Sequence, residues 1–347
     1  MENMRHRLDG TDSRIAAAML AAPRASWRTV GRVLGISERT VVRRAAPLFG
    51  DGTLRATAVR NPVHFPDVIP LALRIRCKPD RIGAIAATLA RRPDTLWVDV
   101  LGGGDEICTI LQLDGPDARN NLLLRDLPAT PAVLSWTSHV LLRTFPAAFD
   151  WSGGLLTASE LAGLRPDIPA VSEGTDAPRP ALQPLDHQLI TALIEDGRAP
   201  YTDLAHYADT TALTARRRLE ALVGGQVLRL ATEVDLARLG VRAEALLWIT
   251  VASGGMEETG RQLSRHPQVR FAAATTGPAN LLVAVAAADL DALYLFMSGT
   301  IGVLEHISTV EVTPILAGVK RTGLVRPGRL QPTEPAGARR GRTARGR

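Results

Sequence analysis

Cysteine is nearly missing from this chain: Cys77 and Cys108 are the only two in 347 residues. They lie in apolar, strand-like runs without C-x-x-C spacing. This argues against a disulfide scaffold or a paired-thiol metal site and points to two reduced, buried thiols. Lysine is equally scarce. Lys78 and Lys320 are the only lysines among 41 basic residues, so the net charge of +6 is carried by arginine. A high-GC genome produces the same arginine bias. The positive sign itself favours an anionic partner, of which nucleic acid is the commonest. No apolar run approaches the ~18 residues of a membrane span, and the opening MENMRHRLDG has no apolar core. Neither a spanning helix nor a standard export signal is expected, and the chain reads as cytoplasmic. Six of the seven histidines (His64, His139, His187, His206, His266 and His306) show no H-E-x-x-H spacing, so no metal or other cofactor is expected. The triple glycine at 102–104 is followed by no Lys-Ser/Thr and starts no helix, unlike a nucleotide loop. Asp114, Asp117, Asp289 and Asp291 read as acids at helix starts, not as a catalytic pair. Nothing here points to an enzyme.

What is present is said twice. Displaced by 174 residues, Leu8 and Asp12 fall on Leu182 and Asp186, Arg24-Ala25 on Arg198-Ala199, and Arg43-Arg44 on Arg217-Arg218. Leu54-Arg55 falls on Leu228-Arg229, Pro93 on Pro267 and Gly103 on Gly277. Solenoid repeats run about 20–50 residues; this period describes a duplicated unit large enough for two small domains. The 46% apolar content supplies several cores, and 22% charged residues is ordinary for a globular protein.

Residues 8–55 read as three short helices. Thr11 or Asp12 caps the first, with Ile15, Ala18, Met19 and Ala22 on its apolar face. Ser26 caps the second, whose inner residues are Val30, Val33 and Leu34, and Gly35 ends it. Ser37 caps the third, with Val41, Ala45 and Leu48 inside, and Pro47 is expected to shorten it to Ala46. Short strands around Leu54–Val59 form a wing. Residues 71–145 then read βαββαβ, the ferredoxin-like order. That sheet carries helices on one face only, and a second such sheet is the obvious cover for the other. A Pro/Gly/Ser/Ala-rich linker spans 146–181, with a capping-box sequence at Thr157–Glu160. Residues 182–240 repeat the winged helices and 241–318 repeat βαββαβ. The basic stretch 319–347 reads as a disordered tail. The expected domains are thus 1–60, 71–145, 182–240 and 241–318. The fold class is α+β, with two winged helix-turn-helix domains alternating with two ferredoxin-like domains.

The segment Ser26–Leu48 matches a helix-turn-helix. With Val41, Ala45 and Leu48 buried, the third helix presents Arg39, Thr40, Arg43 and Arg44 outward. Ser37 sits at its positive N-terminal end. Arginine there can fork onto guanine while others hold phosphates. The segments Leu8–Asp12, Arg24–Ser26, Leu34–Ser37 and Val42–Arg44, together with Leu185-Asp186, Asp196–Ala199 and Arg216–Glu220, resemble the Lrp/AsnC family of bacterial transcription regulators. That resemblance implies an N-terminal winged helix-turn-helix joined to a ferredoxin-like effector and dimerisation domain, here in tandem. It implies DNA contacts from Ser37, Arg39, Thr40, Arg43 and Arg44, and from Thr211, Thr214, Arg217 and Arg218 in the second unit. It also implies effector binding, of an amino acid for example, near the glycine hairpins: Gly103, Gly104 and Asp105 in the first unit and Thr276, Gly277 and Asn280 in the second. An acidic group there suits an ammonium, and freed backbone N–H groups suit a carboxylate.

The second unit departs from the pattern. Its turn reads Ala208-Asp209-Thr210-Thr211 where the first has Leu34-Gly35-Ile36-Ser37, and Asp is a poorer left-handed residue than Gly. The leading expectation is a sequence-specific regulator that binds double-stranded operator DNA and responds to a small metabolite. It would act as a pseudo-dimer within one chain or as a homo-oligomer. One alternative is a sirohaem decarboxylase-type enzyme, a class that resembles Lrp/AsnC proteins. Against it, Leu281–Val285 is aliphatic and lacks histidine. The other alternative is an effector-binding protein that does not bind DNA. The arginine-rich end, 339–347, would add non-specific DNA affinity or stand idle in solvent.

Overall fold

A computed structural model of the chain describes residues 7–145, 151–164 and 182–326. The fold is mixed α/β. The first helices are α1 (Gly10–Ala21), α2 (Trp27–Leu34) and α3 (Glu38–Gly50). Asp9, not Thr11 or Asp12, caps α1 by accepting from the Asp12 amide at 2.8 Å. Ser26 and Ser37 cap α2 and α3 as expected, accepting from the Thr29 and Thr40 amides at 3.0 and 3.1 Å. Pro47 does not shorten α3, which continues to Gly50. In the last turn the amide that Pro47 lacks costs one bond, while Leu48 still anchors the helix in the core. Ile15, Met19, Val30, Val41 and Ala45 are fully buried together.

Strand β1 (Leu54–Arg60) follows, then β2 (Val68–Cys77), α4 (Ile82–Arg91), β3 (Thr95–Leu101), β4 (Glu106–Asp114), α5 (Gly115–Asn121) and β5 (Val133–Thr144). Helix α6 (Ala158–Leu164) lies inside the expected linker. Its start is the anticipated capping box: the Thr157 amide donates to Glu160 at 2.8 Å and the Glu160 amide to Thr157 Oγ1 at 3.3 Å. Leu156 and Leu164 join the core of α1–α3. Linker positions 146–150 and 165–181 lie outside the described residues. Next come α7 (Pro184–Glu195), α8 (Tyr201–Tyr207), α9 (Ala212–Gly224), β6 (Leu228–Val234), β7 (Ala243–Val251), α10 (Met256–Ser264), β8 (Val269–Thr275), β9 (Leu281–Ala287), α11 (Leu290–Leu295), β10 (Ile307–Arg321) and β11 (Leu324–Val325).

The wings do not form separately. Each helical unit contributes one strand, and β1 and β6 pair antiparallel, with Thr57 opposite Ala231 and Leu54 opposite Val234. A lone strand would leave its amides and carbonyls unpaired, and the other unit's strand satisfies them. The ribbon also crosses over. Leu54 packs with α1–α3 whereas Ala58 packs with α7–α9; Leu228 packs with α7–α9 whereas Val234 returns to α1–α3.

The remaining strands form one sheet in the order β11-β10-β3-β4-β2-β5-β8-β9-β7, and β7 pairs again with β10. Apart from β11, the eight strands therefore close on themselves. The two seams that join the four-stranded halves are β5–β8, with Leu141 opposite Thr275, and β10–β3, with Ile315 opposite Leu101. Helices cover the outer face, and the interior holds an apolar cluster. Leu71, Leu73 and Ile75 of β2 face the outer helices while Ala72 faces in, packed with Cys108, Leu246, Trp248 and Leu282. The aliphatic run in β9 follows from this: Leu281, Val283 and Val285 face the helices, Leu282 and Ala284 the interior, so both faces are buried. Each half's open face is covered by the other half, as the sequence suggests, with edge pairing in addition. Both cysteines are buried, and burial raises the Cys77 thiol to about 11. Residues 319–326, expected in the tail, are built into the sheet: β10 runs to Arg321 and β11 folds back on it. Residues 327–347 lie outside the described residues. Among the described residues no helix is long and apolar enough to cross a membrane.

Candidate functional site

In the first helical unit, Gly35 adopts φ 69° and the Ile36 amide donates back to the Gly31 carbonyl at 2.9 Å. This tight turn aims α3 away from α2. Val41, Ala45 and Leu48 are buried, so Arg39, Val42 and Arg43 stand exposed on the opposite face. Ser37 is exposed at the N-cap and its hydroxyl meets the Thr40 hydroxyl at 2.8 Å. Arg44 is placed differently: it is only partly exposed and bridges Asp9 at 2.5 Å and Asp12 at 3.1 Å. Its charge is already matched by α1, so it fixes the angle between α1 and α3.

The second unit repeats this clamp more tightly. Arg218 forks onto Asp186, with Nε donating to Oδ1 at 2.8 Å and Nη2 contacting Oδ2, and Asp186 is fully buried. The in-register pairs Asp12/Asp186 and Arg44/Arg218 are thus two copies of one ion pair. Asp209 takes the turn position with φ 46° and the Thr210 amide still donates to the Ala205 carbonyl at 2.9 Å, so the turn is kept. Thr211 caps α9, accepting from the Thr214 amide at 3.2 Å. On the outer face Arg217 is exposed, Arg216 is held by Glu220 at 2.8 Å, and Leu213 is 68% exposed where the first unit has Arg39. Because Asp209 carries the steric cost of the left-handed region, Asp209→Gly should stabilise this unit by about 0.5–1 kcal/mol. The urea midpoint of full-length protein measures it, and an unchanged or lower midpoint contradicts the assignment.

The two helical units are bound to each other by exchanged arginines. Arg198 of the second unit donates to the Pro23 carbonyl at 2.6 Å and lies over Trp27, 4.1 Å from its ring centre. Arg24 of the first donates to the Gly197 carbonyl at 2.9 Å and lies over Tyr201 at 4.8 Å. Burial, then the nearby Arg24 charge, lowers the Arg198 guanidinium to about 10. The sequence marks both arginines as in register but gives them no role; only the spatial exchange does.

The hairpin residues separate into two kinds. Gly104 has φ 71° and its amide donates to the Leu101 carbonyl at 2.9 Å; Gly103 is exposed. Asp105 lies 3.4 Å from Arg76, and Glu106 pairs with Arg74 at 2.5 Å. In the second hairpin Thr276 accepts from the Val140 amide at 2.9 Å, and Asn280 both accepts from the Val251 amide and donates to its carbonyl. Gly277 has φ 108°, and a Cβ there would sit 2.5 Å from His139 Nδ1. Each hairpin therefore rests on the last strand of the opposite half. The first keeps open backbone and a carboxylate, while the second is largely committed to the fold.

One buried charge cluster escaped the sequence reading. Arg321 is 1% exposed, with Nε donating to Asp99 Oδ1 at 3.0 Å and Nη1 to Glu244 Oε2 at 2.8 Å. The available signal was Asp99, a single charge inside the apolar strand Leu96–Leu101.

A capped helix-turn-helix with an exposed arginine face, attached to a ferredoxin-like sheet, places the chain in the class of helix-turn-helix proteins, and its relatives narrow that class to transcription regulators. The family comparisons agree: residues 8–48 match the AsnC-type helix-turn-helix domain and residues 244–325 the Lrp/AsnC ligand binding domain. The HTH-type transcriptional regulator LrpA1 of Halobacterium salinarum is 31% identical over 109 residues, which is 31% of this chain and 77% of that protein. An uncharacterized HTH-type transcriptional regulator of Pyrococcus horikoshii is 25% identical over 146 residues, 42% of this chain and 92% of that protein. The chain belongs to the Lrp/AsnC family of transcriptional regulators. Among solved structures, the siroheme decarboxylase NirDL aligns over 90% of this chain and 92% of its own, with a TM-score of 0.56 and 12% identity. That likeness is one of fold alone.

Proposed function

We propose that the chain is a sequence-specific DNA-binding regulator of the tandem type, with two winged helix-turn-helix readers and two effector domains in one polypeptide. The domain limits follow the sequence reading, except that 319–326 belongs to the second effector domain. The observation that carries the proposal is the sorting of arginines on α3. Arg44 is consumed by Asp9 and Asp12, while Arg39 and Arg43 stay exposed beside the Ser37-capped N-terminus. A purely structural face has no need of that division. In this reading Arg39, Arg43 and Arg217 contact DNA directly. Ser37, Thr40, Thr211 and Thr214 bring the capped helix ends to phosphate. Arg44 and Arg218 set the helix angle from the flank.

The tandem reading is supported by registers. Thr57 and Ala231, opposite each other in the ribbon, are 174 positions apart. The seam pairs Leu141–Thr275 and Ile315–Leu101 are likewise exchanged by the same shift, which carries Leu141 onto Ile315 and Leu101 onto Thr275. One approximate two-fold axis thus relates ribbon and both seams, as the symmetry of a dimer would within one chain. Two readers related this way, but differing at Arg39/Leu213, suit an imperfect palindrome. A small metabolite such as an amino acid would bind at the first hairpin, around Gly103, Gly104 and Asp105, with Thr276, Gly277 and Asn280 shaping the second. Genome-wide mapping of bound DNA tests the proposal. The expected motif has two unequal half-sites separated by about 10 base pairs or a multiple. Binding without any enriched motif, or none above non-specific background, overturns it.

A further inference from the structure

The ribbon lies over the closed sheet without filling the space beneath it. A cavity of about 350 Å³ remains between β1–β6 and the β5–β8 seam. This is at the small end of the roughly 300–1,000 Å³ usual for ligand sites. One part of its wall is flat and apolar: Trp97 and Phe271, with ring centroids 5.1 Å apart, beside Ile110 and Leu141. The charged part is lopsided. Arg60, Arg143, Arg229 and Arg270 line the cavity against one carboxylate, Glu233.

The outer arginines are turned toward carboxylates beyond the wall, Arg60 to Asp114 at 3.6 Å and Arg143 to Glu257 at 2.9 Å. Arg270 is the telling group. It is 8% exposed, stands 3.4 and 3.5 Å from Glu244 and Glu233, and its buried Nε has no hydrogen-bond partner. Both of its ion-pair contacts are long for a charge-assisted hydrogen bond, and the side chain lines the open cavity. Its plane is held 5.0 Å from the Trp151 ring, which also lines the space.

We propose that this cavity is a binding site for a small amphipathic carboxylate. The flat apolar body lies on Trp97 and Phe271, and the carboxylate meets the arginine side, where Arg60, Arg143 and Arg270 line the cavity. The site is separate from the glycine hairpins. Its roof is made from one strand of each helical unit and its floor from the seam, so an occupant touches both units at once. If the chain regulates transcription as proposed above, occupancy changes the spacing of the two readers. That coupling rests on the DNA-binding reading; the binding itself does not.

Isothermal titration calorimetry of the full chain with 1-naphthoate, and with 1-naphthalenemethanol as its uncharged counterpart, tests the site. One naphthoate binds per chain, about tenfold or more tighter than the alcohol, as a charge-assisted hydrogen bond requires. Arg60→Gln with Arg143→Gln weakens it by a similar factor. Val63→Trp, at an exposed position of the lining, blocks it while circular dichroism melting stays at the parent temperature. No saturable binding up to about 1 mM, equal binding of the alcohol, or binding untouched by Val63→Trp each overturns the proposal. A gel shift with and without naphthoate reads the coupling separately. Naphthoate binding with an unchanged gel shift removes the coupling. Naphthoate binding without any DNA binding removes the regulator reading and leaves the site.

Discussion

Arg321→Met is expected to destabilise the chain by about 3–5 kcal/mol, the usual loss when one partner of a buried ion pair is removed. Arg321 is 1% exposed and joins Asp99, itself 1% exposed, to Glu244 on the neighbouring half of the sheet. Burial alone would raise the Glu244 carboxyl. The positive charges of Arg321, Arg270 and Arg326 outweigh it and hold the group at about 2. With Arg321 gone, Asp99 is left buried without its hydrogen-bond donor, and Glu244 keeps only the more distant Arg270 and Arg326. Methionine fills much of the space over Trp97, where the guanidinium lies 5.3 Å from the ring centre, so the loss reports charge and not a cavity. Urea unfolding checks it. A midpoint within error of the parent would show that the cluster contributes nothing net, as some buried ion pairs do. Arg321 joins β10 to β3 across one seam, so the damage should appear first in that half, as faster hydrogen exchange of β3 and β10.

The readable parts of the fold were those set by local chemistry. Ser26, Ser37 and Thr211 announce helix starts because a side-chain acceptor satisfies amides within three residues, and the apolar spacing of Ile15, Met19, Val41 and Ala45 gives the buried face. The βαββαβ order follows from periodicity alone. What was not readable is long-range pairing. Nothing in Leu54–Arg60 says that its partner strand is Leu228–Val234, far along the chain, because a strand's hydrogen-bonding edge is the same whichever chain segment meets it. The same holds for the seams, which differ from ordinary sheet edges only in what is placed beside them. The arginines illustrate the limit on the site side. The sequence presents Arg43 and Arg44 as equals; their separate roles depend on Asp9 and Asp12, which α1 brings alongside. Arg321 looked like the start of a basic tail because flanking composition hides one residue's burial. Its partner Asp99, a charge in an apolar strand, was the clue that something must meet it.

The division of labour on α3 gives the sharpest test of the regulator reading. Arg43→Ala should weaken binding to the mapped operator by about 1–3 kcal/mol, roughly 5–150-fold, if Arg43 forks onto a base. Melting temperature should not change, since Arg43 is exposed and buries nothing. Arg44→Ala should lower both melting temperature and affinity, because the Asp9–Asp12 clamp on the helix angle goes with it. The two variants therefore separate reading from positioning. In the second unit Arg217→Ala should act on the other half-site alone, and its loss should add to that of Arg43→Ala, because the two helices contact different base pairs. The half-site facing α9 should also be the less selective, with Leu213 in the place of Arg39. Competition gel shifts with each half-site scrambled in turn distinguish these outcomes. If Arg43→Ala lowers affinity equally for operator and random DNA and reduces the salt dependence by about one ion, Arg43 holds phosphate and the base contact falls to Arg39. If neither Arg43→Ala nor Arg217→Ala changes affinity, the exposed faces of α3 and α9 are not what meets DNA.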